Sequence, residues 1–324
     1  MELVRPLVKL PIRFDAETLE REVRALPESA WVPHPTGYVG NEAVRLITPG
    51  GQPTDDLKGM MGPTEQLLAC PYIMEVMASI GAVWGRSRLM GLGAGADVPQ
   101  HVDSHYYWRT HWRIHIPVIT NPGVKFTCGG ETVHMGAGEC WVFDSFRVHG
   151  VHNGGTDQRI HLVLDTVAGG RLRQLIEAGE RGDAEEEFVR PGTTPIDDLS
   201  YERVNSPGVM SPWEIRAHVA YLSQHAVPHP LLGPVLKRID DFVKDWAAVW
   251  AQHEADEAGW PDYLALREGL LRDLTAMRGS SVLLRNTLPL YMGLDQMVLH
   301  NLFADPAAVL AKASGQPRPQ RLAS

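Results

Sequence analysis

The chain has 324 residues, 44% of them apolar, and a formal net charge of −9. That length suits one large domain, or a domain with a smaller companion, around a sizeable core. The acidic balance argues against a non-specific nucleic-acid binder, three cysteines make neither a disulfide framework nor a zinc motif, and no apolar run is long enough to span a membrane. The opening MELVRPLVKLPIRF lacks the apolar run and cleavage site of a signal peptide, so a cytoplasmic setting is expected.

In chain order, residues 1–12 read as a strand. Asp15 can cap a short amphipathic helix over AETLEREVRALP. NEAVRLIT, 41–48, reads as a strand, and 49–63, rich in Gly, Pro and Asp, as a loop. Thr64 starts a helix through 64–84 that is interrupted near Pro71. From 86 to 168 the texture changes. RSRLMGLG, ADVPQHVD, WRIHIPVIT, VKFTC, ETVHM, ECWVFDSF and RIHLVLDTV are short apolar runs, punctuated by the turn signals NPG, CGGE and NGGTD. This spacing predicts an antiparallel sandwich or small barrel. Helices then return. Residues 171–187 are charged and read as surface-exposed, and Pro191, Pro195 and Asp197 mark a connection. Ser211 fits an N-cap, with Pro212 at the first helical position and Glu214 completing a capping box. Helical periodicity recurs in 232–250 and 264–278, and 288–303 reads as another helix. The expected organisation is a mainly β domain with flanking helices over 1–170, a connection over 171–204, a helical subdomain over 205–312 and a disordered tail over 313–324.

The densest chemistry lies in HVDSHYYWRTHWRIH, 101–115. Residues two apart in a strand share a face, so His101 and Asp103 would present an imidazole and a carboxylate side by side. Two histidines and one carboxylate on one face of an octahedron suit iron(II) and leave three positions open. The third ligand has to come from downstream, from His134, His149, His152 or His161. Arg159 opens an otherwise apolar strand. A guanidinium buried there needs an anionic partner, and its rigid fork suits a carboxylate. His161 shares its parity, either lining the pocket or sitting as a satisfied core histidine. Tyr106, Tyr107, Trp108 and Arg109 read as a loop over the site that shapes a substrate pocket, with Arg109 a candidate for a substrate carboxylate. His105 and His111 are not expected to be ligands. Asp144 and Asp165 read as structural residues near strand ends.

Four motifs, HVD, RIHIPV, GECWVFD and HGVHN followed by Arg159 and a strand ending in Asp165, resemble the aspartyl/asparaginyl β-hydroxylase family of iron(II)- and 2-oxoglutarate-dependent dioxygenases. The layout is most similar to the bacterial members that hydroxylate free amino acids such as proline. The resemblance implies a double-stranded β-helix, a jelly roll of cupin-like type. It implies metal ligation by His101, Asp103 and His149, and a grip on the distal carboxylate of 2-oxoglutarate by Arg159. It sets Arg113 and His115 on the strand bordering the co-substrate. The implied reaction consumes O2 and 2-oxoglutarate, hydroxylates an unactivated C–H bond and releases succinate and CO2. One departure stands out: some members carry a co-substrate-binding serine where this chain has Met90, which cannot donate that hydrogen bond. The expected substrate is a free amino acid or a similar small molecule, with no nucleic-acid or membrane partner. A hydroxylase of Asp or Asn in peptides, a metal-dependent hydrolase or isomerase on a cupin-like barrel, and a non-catalytic β-sandwich binding module are the competing readings.

Overall fold

A computed structural model describes residues 3–196, 199–206 and 208–313, with the side chains of 311–313 left out of the account. Of the tail read as disordered over 313–324, residues from 314 onward lie outside the described residues, as does Asp197, while Ala313 ends a helix. The chain forms two compact units. One comprises residues up to Asp103 together with Thr110–Asn205; the other comprises Ser104–Arg109 and the chain from Ser206 onward.

The first unit is a jelly roll. It opens with β1 (Leu7–Phe14), and Asp15 accepts from the Thr18 amide at 2.8 Å to start α1 (Ala16–Ala25). β2 (Val32–Pro33), β3 (Asn41–Pro49) and β4 (Met61–Pro63) follow. Thr64 caps α2 (Glu65–Leu68), and Pro71 breaks this turn from α3 (Pro71–Ile80), as the sequence predicts. The barrel strands are β5 (Val83–Leu92), β6 (Asp97–His101), β7 (Trp112–Ile119), β8 (Val124–Cys128), β9 (Glu131–Val133), β10 (Glu139–Phe143), β11 (His149–Asn153) and β12 (Arg159–Ala168), with α4 (Tyr106–Thr110) between β6 and β7. They divide between two sheets. The larger contains the order β1-β10-β7-β12-β5-β3-β2, and the smaller is β6-β11-β8-β9.

Strand alternation gives the large sheet two different faces. Leu10, Val142, Ile114, Leu162 and Leu89 share the face opposite to the small sheet, and all are fully buried. The other face meets the small sheet across a core of Leu7, Leu92, Val124, Phe126, Cys128, Met135, Phe143 and Val151. This inner face also carries an unusual row of polar groups, which is the site described below.

Two boundaries differ from the sequence reading. Residues 171–204 are not a connection between domains. α5 (Gly170–Arg181) buries Leu172, Leu175 and Ile176, and β13 (Glu187–Val189) and β14 (Ser200–Tyr201) pair with β1 and β5, so the segment completes the barrel unit. Its exposed charges disguise three apolar positions at helical spacing. Conversely, Ser104–Arg109 groups with the helical unit.

In that second unit Ser211 accepts from the Glu214 amide at 3.2 Å and Pro212 opens α6 (Pro212–His225), as the capping box predicts. α7 (Leu232–His253), α8 (Trp260–Ala276), α9 (Leu290–Leu294) and α10 (Pro306–Ala313) follow. The helix expected over 288–303 is α9 continued by a wider turn, Asp295–Leu299. The fully buried Trp246 ring packs 4.3 Å from Tyr263 and its indole donates to the Met210 carbonyl at 2.9 Å. Among the described residues no helix is long and apolar enough to cross a membrane.

Candidate metal and co-substrate site

His101, Asp103 and His149 offer ligand atoms that all lie within 4.8 Å of one another. His101 is the last residue of β6 and pairs directly with His149, the first of β11. Their ring centroids are 4.3 Å apart. The approach depends on Gly150: a Cβ there would sit 2.9 Å from the Val98 carbonyl oxygen, too close for any side chain. The β6–β11 register also shifts between His149 and Val151, around this glycine. Asp103 departs from the expected strand alternation. It lies past the end of β6, with its amide donating to the Ser145 carbonyl at 3.0 Å. A tie across the barrel rim, rather than strand parity, sets its position.

The two imidazoles are oriented alike. His101 Nδ1 bonds the Pro99 carbonyl at 2.8 Å, and His149 Nδ1 bonds the Arg147 carbonyl at 2.9 Å. A carbonyl only accepts, so both Nδ1 atoms carry the proton and both Nε2 lone pairs are left for a ligand. These Nε2 atoms lie 3.7 and 3.9 Å from the Asp103 carboxylate. Burial holds His149 down to about 4, against the opposing pull of Asp103, so its ring is neutral at physiological pH. The donor set is two neutral imidazoles and a carboxylate, which fits an iron(II) with open positions.

Asp103 is itself held. Arg113 Nη1 donates to Asp103 Oδ2 at 3.1 Å, while its Nε and Nη2 donate to the two Asp165 oxygens at 2.9 and 3.3 Å. Arg113, on the strand expected to border the co-substrate, thus has its fork engaged by two carboxylates. Asp165, read as a structural residue near a strand end, is a buried anchor for Arg113, directly across in register.

Arg159 is 4% exposed and has no acidic partner among the described residues. Its Nη1 donates to the Met90 carbonyl at 3.1 Å and its Nε is buried without a partner. Burial alone pulls its pKa down to about 10. A buried cation with an orphaned donor is a cradle that an anion would complete. His115 and His161 share this inner face, with their Nδ1 atoms 3.5 Å apart. Burial, then the nearby Arg159, holds both well below the ordinary imidazole range. The His115 ring meets Phe126 and Phe143 edge-on at 5.4 and 5.2 Å.

A second basic group was missed in the sequence. Arg88 is 7% exposed, opposite Val163 in register, and its Nη1 has no hydrogen bond; the nearest carboxylate, Asp55, is 3.7 Å away. Asp55 is already bound bidentately by Arg45 at 2.5 and 3.1 Å, and its backbone carbonyl accepts from Arg86 at 3.4 Å. Burial, then the neighbouring Arg86 and Arg113, pulls Arg88 down to about 9. The available signal was parity in RSRLM, where Arg86, Arg88 and Met90 alternate with apolar or small residues.

The remaining histidines are accounted for locally. His152 is exposed, lies in strand β11 and bonds Asp97 at 2.7 Å. His134 bonds the Val124 carbonyl at 3.1 Å, and His111 is buried against Glu202 at 3.1 Å. Tyr106, Tyr107, Trp108 and Arg109 form the one-turn helix α4 rather than a loop. Within the helical unit, the Tyr106 hydroxyl donates to Glu214 at 2.7 Å, the Tyr107 and Trp108 rings meet edge-on at 4.7 Å, and the Arg109 guanidinium lies 3.9 Å over the Tyr221 ring.

Residues 58–168 match the sequence model of the family described as Aspartyl/Asparaginyl beta-hydroxylase. No curated protein sequence matches the chain. Among solved structures, a 2OG-Fe(II) oxygenase family oxidoreductase from Burkholderia pseudomallei is 16% identical, covers 52% of this chain and 87% of its own, and has a TM-score of 0.36. A Pseudomonas putida prolyl-4-hydroxylase is 14% identical, covering 50% and 92%, with a TM-score of 0.36. A Trichoplax adhaerens prolyl hydroxylase, solved with a hypoxia inducible factor peptide fragment, is 10% identical, covering 56% and 89%, with a TM-score of 0.37. Likenesses this distant say nothing of substrate or residue roles. The family match bears out the resemblance read from the motifs. The matched segment contains His101, Asp103 and His149, the cluster that could hold a metal ion.

Proposed function

We propose that this chain, whose residues 58–168 match the aspartyl/asparaginyl β-hydroxylase family model, hydroxylates an unactivated C–H bond of a free amino acid or a similar small carboxylate-bearing molecule. The observation that carries the reading is Arg159, a buried guanidinium with no acidic partner among the described residues, on the large sheet's inner face, opposite the small sheet that carries His101 and His149. In this reading His101 and His149 hold iron(II) through Nε2 and Asp103 holds it through a carboxylate oxygen. Arg159 takes the distal carboxylate of 2-oxoglutarate. When bound, the metal and co-substrate supply the oxidising chemistry, with succinate and CO2 as by-products.

The chain's own residues supply position and protection. Asp165 fixes Arg113, and Arg113 fixes Asp103, so the carboxylate is oriented by a charge-assisted relay. The Phe143 ring, 5.0 Å from His149, limits water at the buried ligand. Arg88 supplies a second cation on the inner face, suited to the carboxylate of an amino-acid substrate.

The test is succinate release across free amino acids and short peptides, with Fe(II), 2-oxoglutarate and air. Release stimulated by one or a few free amino acids is the expected result. Stimulation by Asp- or Asn-containing peptides alone overturns the small-substrate reading. Turnover that needs neither 2-oxoglutarate nor O2 overturns the dioxygenase reading.

A further inference from the structure

His161, across from Met90, is a buried imidazole with an unsatisfied nitrogen close in the fold to Arg159. His161 pairs with Met90 in the β5–β12 register, and it lies two residues beyond Arg159 on the same face of the sheet. It is fully buried, at 0% exposure. Its Nδ1 lies 3.5 Å from His115 Nδ1, while its Nε2 is buried with no hydrogen-bond partner among the described residues. Two neutral imidazoles facing each other through Nδ1 atoms allow one proton between them. If His115 donates, His161 carries its proton on Nε2, a buried N–H with no acceptor. If His161 donates instead, its Nε2 is a buried lone pair with no donor, while Arg159 Nε remains a buried donor with no acceptor. An anion gripped by Arg159 satisfies both groups at once in the first tautomer: it accepts from Arg159 and from His161 Nε2–H.

We infer that His161 is a second co-substrate anchor in this chain, donating through Nε2 to the carboxylate held by Arg159, with His115 Nδ1–H fixing its tautomer. The inference rests on the function proposed above.

The experiment is 2-oxoglutarate binding to the full chain, measured calorimetrically under anaerobic conditions with Mn(II) in place of iron. A lost hydrogen bond to a charged group corresponds to roughly ten- to a hundredfold in affinity. His161→Phe is expected to weaken 2-oxoglutarate by that factor while Mn(II) affinity stays within about twofold of wild type. His161→Gln keeps an N–H donor and is expected to recover part of the loss. Met90→Ser in the His161→Phe background is expected to recover part of it by supplying a hydroxyl on the neighbouring strand. Unfolding temperature reports whether each variant is folded. If H161F binds 2-oxoglutarate as tightly as wild type, the inference is overturned and the proposed function stands. If wild type with Mn(II) binds no 2-oxoglutarate, both fall. A loss in H161F that neither Gln nor the added serine relieves also overturns it, because the residue then acts through packing alone.

Discussion

Arg159 should be a liability to the fold and an asset to binding, and Arg159→Met separates the two. Burial lowers its pKa from 12.5 to about 10. At about 1.4 kcal/mol per unit, holding the charge costs the ligand-free protein on the order of 3 kcal/mol. Met keeps an unbranched stem that fills similar space without a charge. The loss on the other side is the hydrogen bond to the Met90 carbonyl, and orphaning that acceptor costs about 1–3 kcal/mol. The ligand-free variant is therefore expected to be between neutral and about 2 kcal/mol more stable, up to several degrees for a protein of this size. The same variant should lose the stabilisation that saturating 2-oxoglutarate gives wild type in the presence of Mn(II). Thermal unfolding with and without each ligand reads both effects. A ligand-free R159M that unfolds well below wild type would mean that Arg159 is a structural residue. An R159M still stabilised by 2-oxoglutarate as strongly as wild type would remove it from the co-substrate site.

Three further expectations follow from the geometry. Asp165→Asn releases the neutralised side of Arg113 and should weaken Mn(II) binding by roughly ten- to a hundredfold, the usual cost of losing such an outer contact; unchanged metal affinity would separate the relay from the ligands. Arg88→Leu should raise the substrate KM by about tenfold or more, as expected for one charge-assisted contact, while leaving 2-oxoglutarate affinity alone; an effect on 2-oxoglutarate instead would reassign the residue. Metal-free protein should lose stability in mild acid. His149 in the barrel unit and His218 in the helical unit are held down to about 4 from 6.5, mainly by burial. The unfolded chain therefore binds more protons between these values, and stability that is complete above pH 6.5 falls as pH approaches 4, by on the order of 3 kcal/mol per group at most. Unfolding temperatures that stay flat from pH 7 to 4.5 would contradict this.

Much of the fold is legible in the sequence because its signals are local. Asp15, Thr64 and Ser211 each accept from an amide three residues on, as their positions before apolar periodic segments predict. The turn-bounded apolar runs become barrel strands because each buries at least one face. What failed was of two kinds. β11 escaped because HGVHN is short, polar and held by neighbours on both sides, β6 and β8, rather than by its own pattern. α4 escaped because five residues carry too little periodicity to separate a helical turn from a loop.

The site divides in the same way. His101 and Asp103 are close in sequence, so their proximity could be anticipated, although the alternation argument gave the wrong reason for Asp103. The arrival of His149 beside them depends on strand pairing and on Gly150, which only the fold supplies. The hold of Asp165 on Arg113 is invisible in the sequence, because the two are distant along the chain and meet only through strand register. Arg88 was hidden in a segment whose alternation of Arg with Ser and Leu reads as an ordinary half-exposed strand.

The most direct test of the central claim is anaerobic titration of the metal-free chain with Fe(II) and then 2-oxoglutarate, watched for the visible metal-to-ligand charge-transfer band of a chelated 2-oxo acid. Wild type is expected to show a saturable band that is abolished in His149→Ala and is reached only at much higher 2-oxoglutarate in Arg159→Met. No band in the wild type, or an undiminished band in H149A, would contradict that claim.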